Sequence, residues 1–263
     1  MGPHSTWFDY LPGFENLKRF MAGPLTRRWT WQVFQTTHFE ITHVIIGTIV
    51  VALLILGTFS YSRSVRKLST EQALLPSPRL NVRAIFEGLA DAVMGMLDGV
   101  MGEKNARKYL PFLGSFFIFI LFSNLISLVP GFRAPTDTLK TNIALSVLVF
   151  FATHILGFKE HGIRYLEQFT GHLPLKSPLV ILVPLMFVIE VISHLIRPAI
   201  LAIRLMANMF ADHAVVGVFF ILVPLLVPVP LMLLGVFVSV VQALVFTLMS
   251  ATYISLAVAH EEH

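Results

Sequence analysis

Cysteine is absent from this chain, and charge is scarce: Asp, Glu, Lys and Arg make up 13% of its 263 residues. The first absence excludes a disulfide framework and a thiolate metal site, while leaving the compartment open. The second, set against 56% hydrophobic residues, excludes an ordinary soluble domain, which needs far more polar surface to cover its core. A Walker loop, a Rossmann glycine turn and a His-Glu-x-x-His pair are missing as well, so nucleotide binding and zinc hydrolysis find no support. The terminal His260-Glu-Glu-His263 has no continuing helix to fix its imidazoles, and no metal site is expected there. No cleavable signal peptide is expected either, because the first long apolar run starts only near His43. Met1 to Thr6 loosely fits a myristoylation pattern, which Pro3 weakens.

What remains is apolar and periodic. Runs long enough to cross a bilayer recur, which predicts an all-α polytopic membrane protein with about five crossing helices. Residues 1–42 are aromatic and mixed in charge, with Pro12, Gly13 and Pro24 interrupting any long helix, and are expected to form an extramembrane arm. Residues 43–263 are expected to form one integral-membrane domain. Its first span is 43–61, closed by Arg63, Arg66 and Lys67. In 80–102, Val82, Ile85, Phe86, Leu89, Val93, Met96, Leu97 and Val100 recur at helical spacing, with Arg83, Glu87, Asp91 and Asp98 largely elsewhere. That pattern predicts an amphipathic helix on the membrane surface. Further spans are expected at 110–129 and 142–158, separated by a polar turn containing Pro135 and Asp137. The remainder reads as a long tilted helical hairpin, about 178–259, with arms 178–211 and 214–259. Pro224, Pro228 and Pro230 are expected to bend the second arm.

Five crossings put the termini on opposite sides. Assigning loops 62–108 and 159–177 to the cytoplasm places eight and three Lys/Arg there. The other side then receives four in the arm, with Arg133 and Lys140. The positive-inside rule therefore predicts an external N-terminus and a cytoplasmic C-terminus. The net charge of +4 belongs to this loop asymmetry, and no nucleic-acid binding is expected.

One segment is polar where it should not be. Glu190, His194, Arg197, Arg204, Asn208 and Asp212 lie in the first hairpin arm. At 100° per residue they fall within about 80° of one another. Ser193 lies beside them, and the rest of the helix is apolar. An arginine at bilayer depth costs about 2.5–3.5 kcal/mol on insertion scales and persists when it faces a partner or water. Interhelical hydrogen bonding is the structural alternative, adequate for a lone Asn or Ser but not for this stripe. On the last helix Gly235, Ser239, Gln242, Ser250 and Tyr253 share a face, and Gln242 is a candidate partner for Arg204. Asn124 and His154, lone polar residues in their spans, read as local packing.

The block Glu190-Val-Ile-Ser-His-Leu-Ile-Arg-Pro-Ala-Ile-Leu-Ala-Ile-Arg204-Leu-Met-Ala-Asn208-Met209 resembles the a subunit of rotary F-type ATP synthases. Val241-Gln242-Ala-Leu-Val-Phe-Thr-Leu-Met-Ser-Ala-Thr-Tyr253-Ile-Ser-Leu256 reinforces the resemblance, as do Lys108-Tyr-Leu-Pro-Phe-Leu-Gly-Ser115 and Leu121-Phe-Ser-Asn-Leu-Ile126. It covers most of the chain from about residue 40. It implies a non-catalytic stator in a bacterial inner membrane, beside a ring of c subunits and bound to the b subunits of a peripheral stalk, with no cofactor. Two offset half-channels would carry protons to and from the ring. Arg204 matches the family's essential arginine, a fixed cation that keeps the passing ring carboxylate ionised and separates the half-channels without itself titrating. Glu190 and Ser193 match positions in the cytoplasmic half-channel. Asn208, His213 and Gln242 match positions near the arginine or along the opposite one.

The resemblance has two departures. Relatives often carry a carboxylate and a histidine at the positions of 213 and 235, but this chain has His213 and Gly235, which makes Asp212 the candidate replacement. The turn Thr136-Asp-Thr-Leu-Lys140 also differs from the family's acidic-Leu-Asn pattern, with Asp137 one residue early. The rival class is a stand-alone ion-coupled secondary transporter, which would usually show an internal repeat and a substrate pocket. The choice of H⁺ over Na⁺ rests on His213, an imidazole able to relay protons near neutral pH.

Overall fold

The computed structural model describes residues 42–66, 81–129, 132, 134–165, 183–222 and 228–258, together with residue 16. Almost all of them are helical, and no strand occurs among the described residues. There are five α-helices: α1 (Thr42–Arg66), α2 (Val82–Ile126), α3 (Leu139–His161), α4 (Val183–Leu222) and α5 (Pro228–Val258). Each contains a stretch long and apolar enough to cross a membrane. Arg63 and Arg66 sit in the last turn of α1, and Lys159 and His161 in that of α3. Cations there oppose the negative end of the helix dipole and the unpaired terminal carbonyls.

The first extended helix is interrupted. Within α2, Gly102 leaves helical geometry at φ 75°, ψ 154°, a region essentially reserved for glycine. The break falls where the sequence ends its amphipathic segment, and it separates Val82–Met101 from the apolar run that follows. Before the break, Val93, Leu97 and Met101 are buried at intervals of four residues while Ile85, Asp91 and Asp98 are exposed. One stripe of this segment is therefore covered by protein.

The hairpin differs from expectation at its turn. The sequence places the end of the first arm at 211, yet α4 runs unbroken through Asp212 and His213 to Leu222. Ala211 to Ala214 contain neither Gly nor Pro, and a single Asp and His do not stop a helix whose neighbours are apolar. The next helix, α5, opens on Pro228, a favoured first helical residue. At 40 residues, α4 is roughly 60 Å long at 1.5 Å per residue, twice the hydrocarbon thickness. The N-terminal arm, the loop 166–182 and the C-terminal tail lie outside the described residues.

The chain forms two compact units. The first comprises Met1–Ala84, Phe119–Thr138 and Met209–Val240. In it α1 buries Ile46 and Val50. Gly47 lets Pro135 approach to 3.6 Å of the place a Cβ would occupy. Pro135–Asp137 is a 3₁₀ turn, pinned by the Thr136 hydroxyl, which donates to Asn124 Oδ1 at 2.6 Å with both residues fully buried. Asn124 is thus the anchor of the polar turn between α2 and α3. Outside this core α1 is bare, with Leu53, Ile55, Leu56 and Phe59 all more than half exposed.

The second unit comprises Ile85–Ile118, Leu139–Asn208 and Val241–His263. Its core is built from α2 (Leu97, Leu113, Phe116), α3 (Val149), α4 (Leu201, Leu205) and α5 (Phe246, Ile254). Small residues on α5, among them Ala243, Ser250 and Ala251, are fully buried and permit close helix packing. The Thr247 and Ser250 hydroxyls donate to carbonyls one turn back, each at 2.8 Å. Gly157 of α3 serves similarly, since a Cβ there would overlap the ring of Tyr165.

Candidate functional site

The polar stripe of α4 lies along the margin of its buried face. Leu201, Ala202 and Leu205 are buried, Ile200 and Ile203 are about half exposed, and Arg204 is intermediate between them. Among the described residues, none forms a hydrogen bond or ion pair with its guanidinium. Gln242 is not its partner. The buried amide Oε1 of Gln242 instead accepts from Nδ2 of Asn208 at 2.6 Å, linking α4 to α5 one turn beyond Arg204. Such an interhelical hydrogen bond in a membrane contributes roughly 0.6 kcal/mol, up to about 1.7. Its larger effect is geometric, because it fixes the rotation of α4 and hence the direction of Arg204.

A second polar group gathers toward the start of α4. His194 is buried, and its Nδ1–H donates to the Glu190 carbonyl at 3.0 Å. Oε1 of the Glu190 carboxylate is 3.3 Å from the same nitrogen and 3.9 Å from Nη2 of Arg197. The Arg197 guanidinium also lies over the Tyr253 ring of α5 at 5.3 Å. From α3, His154 brings its ring to 5.3 Å from that of His194, its own Nδ1 held by the Phe150 carbonyl at 2.8 Å. Tyr165, just past the end of α3, packs edge-on against His154 at 6.0 Å. His154, His194, Arg197 and Tyr253 line a narrow cleft together with Ser146, Thr153 and Pro198. Ser193 is partly exposed beside it.

His154 is the residue that sequence reasoning missed. A single histidine in an apolar span looks like packing. The available signal was on the helix around it, where Asn142, Ser146, Thr153 and Gly157 are buried together at helical spacing. A stripe of small and polar residues marks the inward face of a membrane helix, and His154 borders it.

The remaining candidates belong to the first unit. Asp212 projects toward Gly235 of α5, and a Cβ on that glycine would lie 3.0 Å from Oδ2 of Asp212 and 2.8 Å from a methyl of Leu128. The carboxylate therefore fills the space a side chain at 235 would take. His213 is in α4, but its side chain is outside the described residues. No cluster of three His, Cys, Asp or Glu side chains suited to a metal ion occurs among the described residues.

The family model described as ATP synthase A chain matches residues 44–255. The chain belongs to that family. "ATP synthase subunit a" of Bdellovibrio bacteriovorus is 43% identical over 192 residues, covering 73% of this chain and 81% of the relative. The protein of the same name from Trichlorobacter lovleyi is 43% identical over 215 residues, 81% of this chain and 86% of its own length. That of Geobacter sulfurreducens is 46% identical over 177 residues, 66% and 74% respectively. The ATP synthase A chain match spans α1 to α5 and includes every candidate residue named above. Family and architecture together make this a multi-pass membrane subunit of a bacterial ATP synthase.

Proposed function

We propose that the chain is the non-catalytic stator of a proton-driven rotary ATP synthase, with Arg204 as the fixed charge that divides two half-channels. A half-buried guanidinium, oriented by a neighbouring interhelical amide pair and unpaired among the described residues, carries this reading. Such a cation is available to a carboxylate outside the chain. An opposite charge within a few ångströms favours the ionised carboxylate. A ring carboxylate passing Arg204 would release its proton on one side and regain one only after moving on. Because arginine does not deprotonate in proteins, it blocks a direct proton route between the sides.

Glu190 and Ser193 then belong to the half-channel on the cytoplasmic side. Asp212, seated against Gly235, and His213 belong to the opposite one, with Asn208 and Gln242 next to the arginine. The orientation has the N-terminus outside, as the loop charges require. The partners are the c ring, the b subunits of the peripheral stalk and the bilayer.

Gentle detergent extraction of the tagged chain tests the assembly. It should co-purify a ring of small hairpin proteins bearing a mid-membrane carboxylate. A stand-alone transporter would purify without one, and that result would reject the proposal.

A further inference from the structure

Two imidazoles face each other across α3 and α4, and the arginine mechanism uses neither. We propose that His154 and His194 form a proton relay, passing protons between the Glu190 carboxylate and the inner part of the cleft. The inference rests on the stator reading and extends it to a named route on the cytoplasmic side.

The geometry supplies three requirements of a relay. First, each ring is fixed: Nδ1–H donates to a backbone carbonyl one turn earlier on the same helix, Phe150 for His154 and Glu190 for His194. A neutral ring so held presents Nε2 as its basic atom. Second, the rings are close, with centroids 5.3 Å apart and planes at 70°. That separation suits transfer directly or through one water. Third, a carboxylate stands next to the pair as a proton acceptor. The Glu190 carboxylate lies 3.3 Å from His194 and stabilises its imidazolium, while Arg197 on α4 opposes it. Tyr165 past α3 and Tyr253 on α5 are further ionisable groups beside the pair among the described residues. A proton taken up at Nε2 of His154 passes to Nε2 of His194. The His194 imidazolium then releases its Nδ1 proton to the Glu190 carboxylate 3.3 Å away. The proton left on Nε2 returns to Nδ1 through water before the next transfer. N–H bonds form and break at the rings, an O–H bond forms at the carboxylate, and the pair returns to its neutral state.

Asparagine is the discriminating substitution. Its amide Nδ2–H can occupy the place of the imidazole Nδ1–H and keep the carbonyl bond, but it cannot carry a proton. His154→Asn and His194→Asn should each leave the assembled complex intact in membrane vesicles. ATP-driven acidification should fall by about tenfold or more, the usual scale for losing a positioned proton-transfer group. Exogenous imidazole should restore part of the flux in the smaller His194→Gly variant, and the response of flux to pH across the imidazole range should flatten. Full flux with an unchanged pH profile in both Asn variants would overturn the relay and reduce the pair to packing. Vesicles carrying Arg204→Ala, run in parallel, keep the two readings apart. If they lose coupling while the histidine variants pump normally, the stator reading stands and the relay alone fails.

Discussion

At the scale of single residues, the proposed role of Asp212 rests on its contact with Gly235. The carboxylate from α4 lies in the space a side chain at 235 would need, 3.0 Å from the place of a Cβ. Asp212→Asn is expected to reduce ATP-driven acidification by about tenfold or more with assembly unchanged. Full pumping would remove Asp212 from the path. Gly235→Ala should have a similar but milder effect, because its methyl group must displace either Asp212 or Leu128. Much of this site was legible in sequence, since Glu190, Arg204, Asn208 and Asp212 announce themselves as polar residues on one face of an apolar helix. What was not legible is pairing. Gln242 was a candidate for Arg204 because both face the helix interface, but register places it against Asn208 at 2.6 Å. Helical periodicity gives the angle of a residue and not the axial offset between two helices, so partner choice within one turn is invisible to it.

At the scale of elements, glycines decide where helices stop and how closely they pack. Gly102 holds φ 75°, ψ 154°, which other residues adopt only at about 1–3 kcal/mol. Gly102→Ala is expected to lower stability by that order, seen as a reduced thermal midpoint of the detergent-solubilised complex. An unchanged midpoint would show that α2 tolerates a continuous helix. Gly157→Ala puts a methyl group into the Tyr165 ring, an overpacking that typically costs about 1–3 kcal/mol, and it also pushes Tyr165 against His154. Element identity was clear from sequence wherever an apolar run ended in cations, as at Arg63 and Arg66. The end of α4 was not, because Asp212 and His213 look like a polar turn. In the structure both lie inside α4, which continues to Leu222.

At the scale of the whole molecule, the exposed apolar residues matter as much as the buried ones. Leu53 and Ile55 on α1, Phe151 and Ile155 on α3, and Leu233 and Phe237 on α5 are each more than half exposed. In water such surface would drive aggregation, whereas in a bilayer it faces acyl chains or neighbouring subunits. Because the chain lacks cysteine, single introduced cysteines report orientation without background. A cysteine at Ser5 should react with an impermeant maleimide added outside intact cells, and one at Lys176 only after the cytoplasmic face is opened. The reverse pattern would invert the topology and exchange the two half-channels. The central claim remains that Arg204 keeps those half-channels separate. Its most direct test is Arg204→Ala in inverted membrane vesicles with the complex fully assembled, read as ATP-driven acidification together with passive proton leak. Acidification should be lost, and coupled pumping at the wild-type rate would contradict the account.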